Sequence, residues 1–171
     1  MKTTLIALLA LGLCLPLMGA DKDKPLPKDF KSRKVLAEKG DVRAQSLVAF
    51  MYEQGKGVKR DDKEAVKWYR KAANQGNVGA QSNLGLMYDQ GEGVIQDYKE
   101  AVKWYRKAAE QGDADAQYNL GFAYANGQGV PKDEKEAVKW YRKAAEQGEA
   151  TAQFHLGFAY LSGEGVTKGV D

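Results

Sequence analysis

Few side chains in this sequence are of the types that carry out catalysis or bind metals. His155 is the only histidine, and the only cysteine, Cys14, lies in an apolar N-terminal segment. A histidine acts as a general base when a carboxylate orients it, and for His155 that carboxylate would have to be Glu149 or Asp115. No histidines, cysteines or paired carboxylates have the spacing of a metal site. The sequence predicts a protein without a catalytic set, a metal or a cofactor, and an enzyme built on His155 is the alternative.

Glycine triplets and an aromatic–basic motif are the other patterns with chemical meaning. The triplets at 91–93 and 127–129 lack the Lys-Ser/Thr that completes a phosphate-binding loop, so we interpret them as turns. The motif Trp-Tyr-Arg-Lys occurs at 68–71, 104–107 and 140–143, and such interleaving is also found on nucleic-acid-binding surfaces. Glutamates in the same helical pattern offset its charge, which favours a solvated convex ridge. The net charge of +3 likewise argues against a nucleic-acid partner.

A repeat of 36 residues organises the chain and must position these side chains. The segment from Lys99 to Gly112 is identical to that from Lys135 to Gly148, and the segment from Lys63 to Gly76 differs at one position, Asn74. A fixed period of about 20–50 residues indicates a solenoid, because each unit buries its apolar face only by stacking on the next. We predict an all-α, α/α solenoid of helix–turn–helix repeats. Its parts are a lone helix at 29–40, full repeats at 41–76 (repeat one), 77–112 (repeat two) and 113–148 (repeat three), and a half repeat at 149–171.

Each repeat contains two helical patterns, which we call helix A and helix B. In helix A of repeat two, one face carries Gln81, Leu84, Gly85 and Tyr88. An Asp or Asn directly after the glycine that ends the preceding helix is typical of an N-cap. Helix B opens on an Asp and a Glu in capping-box spacing, as in Asp97 and Glu100. The glycine pair between the helices predicts a turn, with Val94 packing back as an anchor.

Three glycines in the middle of helix A predict close packing between helices. Gly85, Gly121 and Gly157 each cost about 1 kcal/mol relative to alanine. Such a cost is tolerated where a side chain would clash. We therefore expect the ring of Tyr105 to fill the space left by Gly85 or Gly121.

The repeat resembles that of a known family. The run Ala80-Gln81-x-x-Leu84-Gly85-x-x-Tyr88-x-x-Gly91-x-Gly93-Val94, continued by Trp104-Tyr105-x-Lys107-Ala108-Ala109-x-Gln111-Gly112, is similar to the Sel-one-like repeat (SLR). The resemblance covers residues 41–171 and implies a right-handed α/α superhelix related to tetratricopeptide repeats, serving as a non-enzymatic binding scaffold. Some cysteine-rich members handle β-lactams, but the chain after residue 20 has no cysteine. An enzyme acting on a β-lactam or cell-wall substrate would depend on His155.

Positions that vary between repeats point to a binding surface. In tetratricopeptide-type stacks, the helix A face opposite helix B lines the inner surface, and here it consists of positions 79, 82, 86, 89 and 90 and their equivalents. We call this the concave face. It becomes more aromatic towards the C-terminus, which favours a peptide- or protein-binding groove; the alternative is that curvature and the next helix bury the rings. The candidate binding residues are Arg43, Phe50, Gln54, Tyr118, Phe122, Asn126, Phe154 and Phe158.

The N-terminal segment predicts export. Residues 1–20 contain Lys2, an apolar run and the small residues Gly19-Ala20, which is the pattern of a cleaved signal peptide; an uncleaved membrane anchor is the alternative. Cleavage removes Lys2 and lowers the net charge by one. Residues 21–28 are charged and contain two prolines, so we expect a flexible leader. The mature chain would be periplasmic or secreted, without stable membrane insertion.

The C-terminal half repeat is predicted to need a partner. The sequence ends at Asp171, where helix B of a fourth repeat should begin, and Leu156 and Tyr160 then lack a covering helix. Terminal repeats usually have a polar outer face, but this one is the most apolar. We expect a protein ligand, or the same end of a second copy in a homodimer, to cover it. An oligomeric structural protein is the third function class left open.

Overall fold

The computed structural model describes residues 25–166, and within them all regular structure is helical. The predictions for the signal peptide at 1–20 and for the end of the chain at 167–171 lie outside the described residues. The eight helices of the described part are α1 (Phe30–Glu38), α2 (Val42–Gln54), α3 (Asp62–Asn74), α4 (Val78–Gln90), α5 (Tyr98–Glu110), α6 (Ala114–Asn126), α7 (Glu134–Glu146) and α8 (Ala150–Ser162). Helices α2, α4, α6 and α8 are the A helices, and α3, α5 and α7 are the B helices.

Polar caps set the helix starts. The Asp41, Asn77 and Asp113 side chains each accept the N–H of the third residue on, at 2.8 Å, as predicted. The capping box of helix B is only half formed. Asp97 accepts the N–H of Glu100 at 3.1 Å, but its own N–H donates to the Tyr88 carbonyl and not to the glutamate. The cap therefore also ties helix B to the end of helix A.

The glycine pair between helices A and B is required for two reasons. Gly91 ends α4 with φ of 74° and Gly93 follows with φ of 68°, both in the left-handed region. A Cβ on Gly93 would also collide with the backbone carbonyl of Asp62, at the start of the preceding B helix. The turn of one repeat is thereby seated on helix B of the repeat before it. The anchoring residue Val94 packs against the core as predicted.

The helices pack in chain order, each against the one before and the one after it, so the described chain is an α/α solenoid as predicted. Tryptophans of helix B join successive repeats: Trp104 packs in the cluster formed by α1–α4, and Trp140 in the cluster of α5 and α6. The prediction of a solvated Trp-Tyr-Arg-Lys ridge is wrong for its tryptophans, whereas the burial of the tyrosine agrees with the expectation that Tyr105 packs beside a glycine. Both aromatic residues of the motif are buried, and only the basic residues reach the surface, with Lys107 Nζ 4.3 Å from the centre of the Trp104 ring.

A glutamine relay links each repeat to its neighbour. The buried Gln81 donates to the carbonyl of Ala73 in the preceding B helix at 3.1 Å. It accepts from Gln111 of its own repeat at 2.7 Å. The same pair of bonds recurs at Gln45 and Gln117. Because both ends of the buried amide are satisfied, the relay fixes the register of the stack without leaving a polar group unpaired.

Candidate functional site

Tyrosines of helix B set the spacing between the two helices of a repeat. A Cβ on Gly85 would lie 2.6 Å from the Tyr105 ring, and one on Gly121 would lie 2.9 Å from the Tyr141 ring. The prediction that Tyr105 fills the space beside Gly85 is confirmed. The space beside Gly121 is filled by Tyr141, so each glycine meets the tyrosine of its own repeat. Gly157 of α8 has nothing within 4 Å of the same position. The face of α8 that would meet a B helix is therefore open among the described residues.

The N-terminal part of the concave face is largely polar. Phe50 is exposed, and the ammonium group of Lys56 lies 4.6 Å from its ring centre. The Gln54 amide donates to the Glu53 carboxylate at 3.3 Å, and Arg43 is half-buried. None of the described contacts joins these residues to the aromatic residues of the C-terminal part.

The C-terminal part of the concave face contains an aromatic cluster, which we define as Tyr118, Phe122, Tyr141, Phe154 and His155. The His155 ring stacks on Tyr141, with centroids 5.3 Å apart and an interplanar angle of 17°. Tyr118 lies 5.7 Å from His155 and 5.9 Å from Tyr141, and Phe154 meets His155 edge-on at 5.6 Å. Three of the candidate residues are thus brought together, and His155 and Tyr141 are the members that sequence reasoning did not assign to the surface.

Exposure divides the candidate residues into two groups. Tyr118 is half-buried among the rings, and burial raises the pKa of its hydroxyl. The Phe122, Phe154 and Phe158 side chains remain 38%, 70% and 56% exposed. Asn126 is also exposed, and its amide donates to the Phe122 carbonyl at 2.9 Å. The three phenylalanines leave exposed apolar surface on α6 and α8, to which Leu161 (90% exposed) adds, and we call these three residues the phenylalanine row.

Two of the three residues that an enzyme would need, His155 and Glu149, are engaged in structural contacts, and Asp115 is exposed. Besides its ring contacts, His155 has Nε2 3.5 Å from the Tyr118 hydroxyl. Glu149 caps α8 by accepting the N–H of Ala152. Burial opposes its ionisation, but the N–H groups of Ala152 and Thr151 outweigh that effect and lower the pKa of Glu149. These contacts place His155 in the seam between helices.

A small cavity at the middle of the stack was not anticipated from the sequence. It lies between α4, α5 and α6 and offers about 20 Å³ to water, room for roughly one molecule. Its polar lining consists of Asp89, Tyr98, Tyr105, Asn119 and Gln128, and Phe122 stands at its edge. The only sequence signal for it is that Asp89 occupies a position held by Glu53 in repeat one and by Ala125 in repeat three.

A repeated pair of helices packed in chain order defines an α/α solenoid. The chain belongs to the Sel1 repeat family, whose model matches residues 42–77, 78–113, 114–149 and 150–171. Proteins of this family serve as protein-interaction scaffolds, typically without catalytic activity. The Sel-one-like resemblance inferred from the repeat is therefore confirmed.

Three solved structures illustrate this relationship. A protective antigen of uropathogenic Escherichia coli with an SLR fold is 46% identical, with a TM-score of 0.80, over 83% of this chain and 30% of that one. A Sel1 repeat protein from Oxalobacter formigenes is 42% identical, with a TM-score of 0.76, over 82% and 57% of the two chains. Cysteine-rich protein B of Helicobacter pylori is 27% identical, with a TM-score of 0.60, over 74% and 96%. No protein of curated function is significantly similar to the chain.

Two further properties concern residues 25–166 alone. No helix among them is long and apolar enough to cross a membrane. No three His, Cys, Asp or Glu side chains among them are grouped so that they could hold a metal ion.

Proposed function

We propose that this protein is a non-enzymatic scaffold of the bacterial envelope or secreted space that binds a peptide or protein on its concave face. The observation that carries the proposal is the phenylalanine row, since several exposed apolar rings on neighbouring helices mark interaction sites. Burying one such ring stabilises a complex by about 1.5–3 kcal/mol. Three rings together contribute about 4.5–9 kcal/mol before the cost of association, so micromolar affinity, about 8 kcal/mol, also requires further contacts along the concave face.

The envelope or secreted location is supported by the signal-peptide pattern of residues 1–20. The similarity to a protective antigen of a pathogen is consistent with it, because such antigens are accessible to the host. Fractionation of cells producing the full chain tests the location, and a protein found only in the cytoplasm, with residues 1–20 retained, would contradict it.

Capture of the protein ligand tests the binding face. Wild-type protein is compared with Phe154→Ser/Phe158→Ser as bait in an envelope extract. Both rings are mostly solvated, so their removal leaves the fold intact while weakening capture at least about tenfold. The matched control is Val35→Ser/Ile95→Ser, which removes exposed apolar side chains (45% and 91% exposed) that lie outside the concave face. Equal capture by all three baits would exclude the phenylalanine row.

A second copy of the chain is the proposed occupant of the open face of α8. Among residues 25–166, no tyrosine packs against that face as Tyr105 and Tyr141 do against Gly85 and Gly121, and Tyr160 on it is exposed. Sedimentation of the wild type should show a concentration-dependent dimer, and Gly157→Glu should abolish it, because the glutamate has room in the monomer but not in the interface. A wild type that stays monomeric at all concentrations would exclude the dimer.

A further inference from the structure

The three full repeats contain equivalent positions that can be compared with one another. In each, a buried tyrosine of helix B lies opposite the last turn of its own helix A. In repeat one, the Tyr69 hydroxyl donates to the Glu53 carboxylate at 2.6 Å, so both groups are satisfied. In repeat three, the carboxylate is replaced by Ala125, and Tyr141 stacks on His155. Both outer places are closed by the chain's own side chains.

At the equivalent position of repeat two, the space between the tyrosine and helix A is a cavity. Asp89 stands where repeat one has a glutamate, and its side chain is one methylene shorter. The hydroxyl of Tyr105 is buried and has no hydrogen-bond partner among the described residues. Both residues line the 20 Å³ cavity, together with Asn119 and the rings of Tyr98 and Phe122. A buried polar atom without a partner is rare in proteins, because it costs about 1–3 kcal/mol.

The electrostatics of the cavity indicate what is missing. Asp89 is half-buried and makes no ion pair with any residue of 25–166. Burial raises the pKa of Asp89, since no neighbouring cation or donor compensates for the lost hydration. The pKa of the Tyr105 hydroxyl is also raised, first by burial and then by the charge of Asp89. A positively charged hydrogen-bond donor placed in the cavity would relieve both effects.

Size and charge restrict the group that fits. The space is that of one water molecule, so it admits an ammonium group, whereas a guanidinium or a carboxylate is larger. A carboxylate would also be repelled by Asp89. An ammonium group has three donors, and the polar residues that line the cavity, Asp89, Tyr105, Asn119 and Gln128, offer acceptors for them. Tyr98 and Phe122 also line the cavity, and aromatic rings suit both a cation and the alkyl chain that carries it.

We propose that this cavity is a lysine-binding subsite, which takes the side-chain ammonium group of the peptide or protein bound on the concave face. The inference rests on the proposed function and names one feature of its ligand. Phe122 connects the two, because it belongs both to the phenylalanine row and to the lining of the cavity. A ligand with a lysine beside apolar residues would fill the cavity and cover the row.

A pair of small probes tests the subsite in the full chain without the natural ligand. The probes are Nα-acetyl-lysine methylamide and its uncharged counterpart Nα-acetyl-norleucine methylamide, followed by NMR signals of α4, α5 and α6. The lysine probe should give saturable shifts in the millimolar range around Asp89 and Tyr105, and the norleucine probe should not. Asp89→Asn should weaken lysine binding at least about tenfold. Equal shifts with both probes, or no saturation at the solubility limit, would overturn the proposal.

Two exchange variants make the test independent of any loss of folding. Asp89→Glu should reproduce the closed arrangement of Glu53 and Tyr69 and abolish the lysine shifts. Glu53→Asp should open the equivalent place and add a second set of shifts around Tyr69. Unchanged lysine binding in Asp89→Glu would contradict the assignment. If the lysine test fails while Phe154→Ser/Phe158→Ser still weakens capture, only the subsite is refuted. If the lysine shifts are observed but all three baits capture the ligand equally, the binding face is refuted instead.

Discussion

Single glycines decide how close the two helices of a repeat come. Gly121 has the Tyr141 ring and the Ala137 carbonyl oxygen within 2.9–3.1 Å of where a Cβ would stand, and Gly157 has nothing within 4 Å. The same residue type in the same register therefore has opposite roles. At Gly121 it permits packing within the chain, whereas at Gly157 its effect within the described chain is to lower helix propensity.

Substituting alanine at these two positions should shift stability in opposite directions. Gly121→Ala forces the Tyr141 ring and the backbone of α7 away, so we expect a loss of about 1–3 kcal/mol. Gly157→Ala meets open space and should stabilise the protein by up to about 1 kcal/mol. Urea unfolding of both variants measures the difference. Equal effects would show that the Tyr141 ring does not pack against Gly121.

At the scale of the element, the glutamine relay and the caps hold helices in register. Gln81 bridges the end of one B helix to the end of the next through two hydrogen bonds. Gln153 of α8 makes only the first of them, at 3.2 Å to the Ala145 carbonyl, and is exposed. The interior A helices are thus hydrogen-bonded to the B helix before and the B helix after them, whereas among residues 25–166 the glutamine of α8 is bonded only to the preceding α7.

Removing the relay should be costly in the interior and nearly neutral at the end. Gln81→Ala removes two hydrogen bonds of a buried amide, although the Ala73 carbonyl still accepts from Gly76 and the Gln111 amide still donates to the Lys107 carbonyl, and we expect a loss of about 1–3 kcal/mol. Gln153→Ala removes one exposed bond and should change stability by less than about 0.5 kcal/mol. Thermal unfolding of the two variants compares them directly. A Gln81→Ala protein as stable as Gln153→Ala would mean that the relay adds nothing to the stack.

At the scale of the whole molecule, periodicity explains why the fold was predictable. Identical segments such as Lys99 to Gly112 and Lys135 to Gly148 must fold alike, and spacing alone located the caps, the turns and the glycine–tyrosine contacts. The burial of Trp104 was missed because a tryptophan beside lysines looks like a surface residue until the preceding repeat is stacked on it.

The site was less predictable than the fold because it depends on differences between repeats. Asp89, which lines the cavity, is one methylene shorter than the glutamate at the same position of repeat one. That this leaves the Tyr105 hydroxyl without a partner among the described residues depends on the distance between two helices, which the sequence does not give. Similarly, the seam between α6, α7 and α8 decides that Tyr118 is half-buried while Phe154 and Phe158 stay exposed. The position of a residue in the sequence predicts the helix face on which it lies. Which rings on that face remain exposed depends on how the neighbouring helices pack.

Site-specific photocrosslinking in living cells shows whether the protein ligand binds at the phenylalanine row of the concave face. A photoreactive amino acid is placed singly at Phe154, at Phe158, at Ile95 in the loop before α5 and at Lys103 on the exposed side of α5. We expect a crosslink to the same protein from the two phenylalanine positions and none from the other two. Crosslinks to a partner from Lys103 or Ile95, with none from Phe154 and Phe158, would contradict binding at the phenylalanine row.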